Sequence, residues 1–408
     1  MRLLTLAGNA ASAQNVLFMA SVCLYFQIHQ PFRLRRYSVF DSDQNYFDDY
    51  KDGEICRKVA QHCYLPVNQL MLEIIRAHEG KFRIAFSITG TAIEQFERYV
   101  PEVITGFKEL AKTKCVEFLD ETHYHSLAFL YSKTEFRDQI ELHRQKIETL
   151  FGQKPRVFRN TELIYNNELA QFVSRMGYDA VLADGADQIL GPHTPNVVYR
   201  PVGAPKIKLL LRNYRLSEDI SLRFSNRNWE QWPLTADKFA NWISQVNGNG
   251  SICNLFMDYE TFGERQPPET GIFEFLRHLP GHVLGQGNNF LTPSEIVDKY
   301  GAAGEIDCPR AMSSADAERD LSAWLGNAMQ SNALQELYKL EKKMKDRADA
   351  DLLNDWRRLS TSDHFYYMCT KYWSSPEAQK YFSPYESPYD SYINFMNVLD
   401  NITARLRL

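Results

Sequence analysis

The stretch Ser251-Ile252-Cys253-Asn254-Leu255-Phe256-Met257-Asp258-Tyr259-Glu260-Thr261-Phe262-Gly263-Glu264 decides the fold. Its first seven residues form an apolar, strand-like run. The run ends abruptly in a carboxylate, with two more acids and a glycine behind it. A second segment repeats the grammar: Val157-Phe158-Arg159-Asn160-Thr161-Glu162-Leu163. In α/β barrels, acids at the C-terminal ends of strands sit in the mouth where chemistry is done. Two such acids from different strands are the minimum equipment for cleaving a glycosidic bond.

Working outward from these two segments, further strand-like runs recur at 22–28, 83–89, 116–119, 180–183 and 208–212, making seven candidates. Helix-period segments lie between them. Residues 65–78 carry Leu65, Leu70, Leu72, Ile74 and Ile75, and residues 136–151 carry Phe136, Ile140, Ile147, Leu150 and Phe151 among charges. Residues 167–176 form another, closed by Gly177 as a C-cap. Strands alternating with helices predict a parallel sheet covered on both faces. After about Tyr300 the character changes. Residues 315–349 predict one long charge-rich helical stretch, and residues 389–408 a second. The expected organisation is therefore a barrel over 19–300 and a helical bundle packed on it over 301–408. Residues 1–18 contain an apolar part too short for a signal-peptide core, so they are expected to be a disordered extension.

Composition narrows the class. The 408 residues are ample for one barrel of about 250 residues plus an appended domain. A net charge of -5 and a pI near 6.1 give no electrostatic footprint for nucleic acid. No run of about 18 apolar residues exists to span a membrane. The 22 tyrosines suit sugar rings, which also pair an apolar face with hydroxyl edges, although most aromatics must be core. Seven cysteines are an odd number without a CxxC pair, and Cys23, Cys115 and Cys253 lie in apolar runs. A reducing, cytoplasmic setting is expected rather than a disulfide framework.

Polar groups collect behind the candidate strands. The first is followed by His29-Gln30-Pro31 and the third by Asp120-Glu121-Thr122-His123-Tyr124-His125. The fifth ends at Asp184-Gly185-Ala186-Asp187. Five segments in order, Ile28-His29-Gln30-Pro31-Phe32, residues 116–125, Phe158-Arg159-Asn160-Thr161-Glu162-Leu163, residues 256–264 and Ser362-Asp363-His364-Phe365-Tyr366-Tyr367, resemble glycoside hydrolase family 57. That is the α-amylase and 4-α-glucanotransferase family, and the likeness spans roughly residues 20 to 375.

The resemblance implies an α/β fold: an incomplete (β/α)7 TIM-like barrel with a C-terminal all-α helical domain. It also implies a retaining, metal-free reaction on α-1,4-glucosidic bonds of starch, glycogen or maltodextrins. By position Glu162 resembles the nucleophile and Asp258 the acid/base, which a retaining enzyme holds about 5–5.5 Å apart. Arg159, three residues before Glu162, is expected to keep that carboxylate ionised. Burial and the acids Glu260 and Glu264 are expected to push the Asp258 pKa up. Other readings stand beside these. Glu162 could be an ion-pair partner of Arg159, Asp258 a helix N-cap, and Glu260 the acid instead. His29, Gln30, His125, Asp184, Asp363 and His364 are candidates for binding sugar hydroxyls. Trp229, Trp232 and Tyr259 are candidates for stacking on rings, with core packing the equal alternative for each. His123 and His125 alternate, so an extended segment would place them on one face. His29, His123, His125 and Asp184 could then bind zinc, as in polysaccharide deacetylase barrels. The rival classes are a 4-α-glucanotransferase using the same residues, a metal-dependent deacetylase and a silent glucan-binding protein. The compact length favours an amylase.

Overall fold

The structure is a computed structural model that describes residues 19–347, 349–371 and 383–407. The expected extension over residues 1–18 lies outside the described residues. All seven expected strands are present: β1 (Ser21–Ile28), β2 (Ile84–Ile88), β3 (Val116–Phe118), β4 (Val157–Arg159), β5 (Ala180–Asp184), β7 (Lys208–Arg212) and β8 (Ile252–Asp258); an eighth, β6 (Tyr199–Pro201), lies between β5 and β7. Two short strands follow, β9 (Asn289–Phe290) and β10 (Gly304–Ile306). β6, β9 and β10 are additions to the seven, outside every apolar run expected to be a strand.

Two sheets form, one in the order β3-β2-β1-β8 and the other β10-β6-β7-β5-β4. They meet at both edges. The Asp120 backbone joins β3 to β4, donating to Val157 O at 3.0 Å and accepting from Arg159 N at 2.9 Å. β7 meets β8 through Asn213 N on Asn254 O at 2.8 Å. There the Asn254 side chain completes the contact, donating to Leu211 O at 2.8 Å. Seven parallel strands thus close on themselves, with a thin seam between β7 and β8. Asn196 fills the lower part of the seam, its carbonyl accepting from the amides of Ser251 and Ile252.

The barrel follows from side-chain alternation. Along β8, Cys253 and Leu255 face the surrounding helices, while Ile252 and Phe256 fill the interior with Cys23, Tyr25, Leu182 and Leu210. The same alternation sends Gln27, Ser87, Arg159, Arg212 and Asp258 inward at the C-terminal end, and the register pairs Gln27 with both Ser87 and Asp258. A polar layer therefore caps an apolar core at one end only.

The helices have local causes. Ser132 caps Lys133–Phe151 by accepting from Glu135 N, and Gly152 ends it in the left-handed conformation. Asn166 caps Asn167–Arg175. The expected single helix over 315–349 is broken into Ser322–Leu325, Ala328–Lys339 and Glu341–Arg347. Asn327 causes one break, because it makes a capping box with Gln330 and starts a new helix. Pairing of β10 with β6 carries sheet structure past residue 300. The C-terminal helices share a core with the loop after β1, in which Phe32, Leu34, Tyr37 and Phe47 pack with Trp324, Leu334, Trp356 and Val398. No helix among the described residues is long and apolar enough to cross a membrane.

Candidate active site

Glu162 sits one turn past β4, and its backbone is left-handed (φ 56°, ψ 24°), a conformation that costs a non-glycine residue about 1–2 kcal/mol. Its carboxylate meets His125 Nε2 at 3.2 Å, and His125 Nδ1 meets Glu121 at 3.1 Å. Burial works against charging His125, but the two carboxylates outweigh it and raise its pKa to about 9. His125 is therefore an imidazolium at neutral pH that donates to both acids. Burial alone would raise fully buried Glu121. His125, Arg159 and His143 reverse this and hold it at about 2.

The expected role of Arg159 changes. Its recorded ion pair is with Glu121, at 4.0 Å, and the cation beside Glu162 is His125. The expectation for Asp258 is also corrected. Burial does favour its neutral form, but Arg265, Arg159 and Arg212 overcome burial and lower its pKa. Arg265 makes a direct ion pair with it. Asp258 precedes a short 3-10 turn, Tyr259–Thr261, yet makes no side-chain cap hydrogen bond. Glu260 carries the opposite bias. Burial first, then the charge of Asp258, lift it to about 7, while Tyr64 donates its hydroxyl proton to it.

The far wall comes from the C-terminal region. Ser362 N donates to His125 O at 2.9 Å, which brings Asp363 to His29, whose Nε2 lies 2.8 Å from the carboxylate. The His29 and His125 rings stack at 4.0 Å. Burial and the His125 charge hold His29 below its ordinary pKa, so it stays neutral. Asp363 is pulled below the carboxylate range because His29, His125 and His364 outweigh its burial.

Glu162, Asp258, Glu260, His29, Gln30, His125 and Asp363 all line one open cleft of about 890 Å³ at the polar end of the barrel. The remaining candidates lie elsewhere. Tyr259 is fully buried among core aromatics, with its hydroxyl on Asn68. Strand alternation continues one residue past Asp258 and turns this ring outward from the barrel. Trp229 packs edge-on to Trp242 against the helical layer, and Trp232 is half-exposed away from the cleft wall. His364 is buried behind Asp363. Asp184 is fully buried, paired with Arg212 and Arg319.

The four possible zinc ligands do not converge. The chain turns at His125 (φ 51°), so His123 and His125 diverge, and His123 faces Glu94 at 3.1 Å. Among the described residues, no group of three or more His, Cys, Asp or Glu side chains is placed to hold a metal ion. Sequence reasoning missed Tyr25 and Gln27, which share the inward face of β1 with His29, and Arg265. Period-two alternation back from His29 could have found the first two. Nothing local marks Arg265.

A parallel barrel with acids from separate strands facing one cleft defines an α/β-barrel protein with a carboxylate-lined cleft at its polar end. The chain belongs to glycosyl hydrolase family 57, whose family model matches residues 23–309. It is thus a glycoside hydrolase, with a carbohydrate substrate. It is 41% identical over 394 residues, 92% of this chain and 82% of the other, to a Methanocaldococcus jannaschii protein named "Putative alpha-amylase". The fold is shared with a branching enzyme of Thermococcus kodakaraensis (TM-score 0.68, 15% identity, 89% of this chain and 87% of that one). It is shared too with the 4-alpha-glucanotransferase of Thermococcus litoralis (TM-score 0.60, 15% identity), covering 95% of this chain but 59% of that longer one. The alpha-amylase AmyC of Thermotoga maritima is a third likeness (TM-score 0.60, 12% identity, 95% and 94%).

Proposed function

We propose that this chain is a retaining α-amylase-type hydrolase acting on α-1,4-glucosidic bonds of starch, glycogen or maltodextrins. The observation that carries the reading is the convergence of Glu162, from β4, and Asp258, from β8, on one cleft. The Glu162 carboxylate attacks the anomeric carbon. The glycosidic C–O bond breaks, and its electron pair leaves on the oxygen, which takes a proton from the acid. A covalent β-glucosyl ester on Glu162 results. Water then attacks the same carbon, gives its proton to the acid/base and releases Glu162, restoring the α configuration. The His125 imidazolium, 3.2 Å from the Glu162 carboxylate, supports its placing as the nucleophile. The name of the M. jannaschii relative supports the substrate class. Seven free, buried cysteines support a reducing, cytoplasmic setting.

One observation favours a second assignment of the acid. Asp258 is biased towards its ionised form, and Glu260 is the carboxyl that holds a proton near neutrality. Substrates with different leaving groups separate the two. Removing the true acid costs roughly 10²–10⁴-fold on maltoheptaose and far less on an aryl glycoside, whose leaving group departs without a proton. We expect Asp258→Asn to show that pattern. Its appearance in Glu260→Gln alone would transfer the role. Glu162→Gln should abolish turnover on both substrates with its circular dichroism unchanged, and wild-type rates there would end the reading. Products longer than maltoheptaose would make the enzyme a 4-α-glucanotransferase.

A further inference from the structure

The carbonyl of Glu162 is held by a loop from far along the chain. Ser314 donates both its amide and its hydroxyl to that carbonyl, each at 3.1 Å. Just before Ser314, Met312 exchanges two backbone hydrogen bonds with Tyr165, at 2.9 and 3.0 Å, on the other side of the Glu162 turn. Glu162 and Leu163 are both left-handed (φ 56° and 52°), so this turn sits in a backbone region that is costly for residues with a side chain. Something outside it must hold it there.

The loop over 313–320 has its own anchor. Arg319 curls back, itself left-handed (φ 53°), and donates to Ser314 O at 2.6 Å. The same guanidinium reaches Glu218 at 2.8 Å and buried Asp184 at 3.0 Å, and lies over the Tyr214 ring at 5.0 Å. Arg212 faces the same two acids at 3.5 and 3.7 Å, and Arg223 adds to Glu218 at 3.9 Å. Asp184 belongs to β5 and Arg212 to β7. Arg319 is thus a peg set into the rim of the barrel, and a two-donor clamp on the Glu162 backbone hangs from it.

We propose that Arg319 is a positioning residue for the reaction: by pinning Ser314 against Asp184 and Glu218, it fixes the backbone of Glu162 and so the aim of its carboxylate. The proposal rests on the reading of Glu162 as nucleophile. A forked guanidinium can hold a carbonyl and two carboxylates at once, which an ammonium cannot. Misplacing a reacting group by about 1 Å can cost about 100-fold.

The test joins a geometric readout to a kinetic one. Crystal structures of the full-length Arg319→Ala and Ser314→Ala variants are compared with the wild type, and kcat and KM are measured on maltoheptaose. In Arg319→Ala the Glu162 carboxylate should shift by about 1 Å and kcat fall about 10- to 100-fold, with KM within about twofold. Guanidinium ion added to Arg319→Ala should recover part of the rate. It should not do so in Ser314→Ala, which retains the peg and lacks only the hydroxyl. An Arg319→Lys variant guards against a fold too weak to study, and it should lie between wild type and Arg319→Ala. An unmoved Glu162, or a kcat equal to wild type, overturns the proposal. A wild-type protein inert on every α-glucan, with Glu162 still displaced in Arg319→Ala, would discard the proposed activity and leave the latch standing.

Discussion

His125 sets the charge of the cleft at the scale of single residues. Its pKa of about 9 in the folded chain exceeds the ordinary 6.5. A group raised in this way stabilises the fold fully below about 6.5, and that contribution is lost as pH rises through about 9. Urea unfolding of wild type and His125→Gln should therefore differ most near pH 6 and converge near pH 10. A constant difference across that range would mean that the imidazole acts by packing alone. The sequence announced His125, Glu162 and Asp258 through their places behind strands. It gave no hint that Glu121 would hold the far side of His125, because that pairing depends on a turn at φ 51°. The reversed bias of Asp258 was equally hidden. It arises from Arg265 seven residues on and from Arg159 and Arg212 on other strands, and none of these distances can be read along a chain.

At the scale of elements, the segment after β8 shows how one glycine fixes a junction. Gly263 has φ 105°, and a Cβ built there would stand 2.0 Å from the carbonyl oxygen of His62. That carbonyl belongs to a single π-helical turn, Ala60–Tyr64, inserted between the helices Asp49–Val59 and Leu65–Ala77. Such turns often mark working parts of a protein, and this one carries Tyr64 to Glu260. Gly263→Ala should cost about 3 kcal/mol or more, since backbone cannot swing aside as a side chain can. Denaturant midpoints would measure it, and a loss below about 1 kcal/mol would mean that the junction has slack. The seven principal strands were legible because each is an apolar run with polar residues behind it. The long helix expected over 315–349 was misread because its composition suits a helix throughout. Asn327 then capped a new start, and residues 315–321 were drawn into the loop that grips Glu162.

At the scale of the whole molecule, the barrel and the C-terminal helices are joined by charge as well as by their shared core. Glu135, fully buried on Lys133–Phe151, receives Arg357 at 2.7 and 3.2 Å and Lys345 at 2.9 Å. Arg357→Ala should destabilise by about 1.5–3 kcal/mol, since Lys345 still faces the stranded carboxylate. A neutral result would show that Lys345 suffices. The family likeness and the barrel could be read from five short segments. The closing of the cleft by Asp363 was legible only as a match in order, because nothing in sequence ties it to His29. Those two residues lie 334 positions apart and share one hydrogen bond. This separation bears on biosynthesis. A nascent chain that has emerged through β8 already owns both candidate acids and the Thr89 partner of His29 but lacks the Asp363 carboxylate on its other nitrogen. Fragments cut short before residue 363, by stalled translation or by proteases, would carry both acids without the wall that Asp363 adds to the cleft.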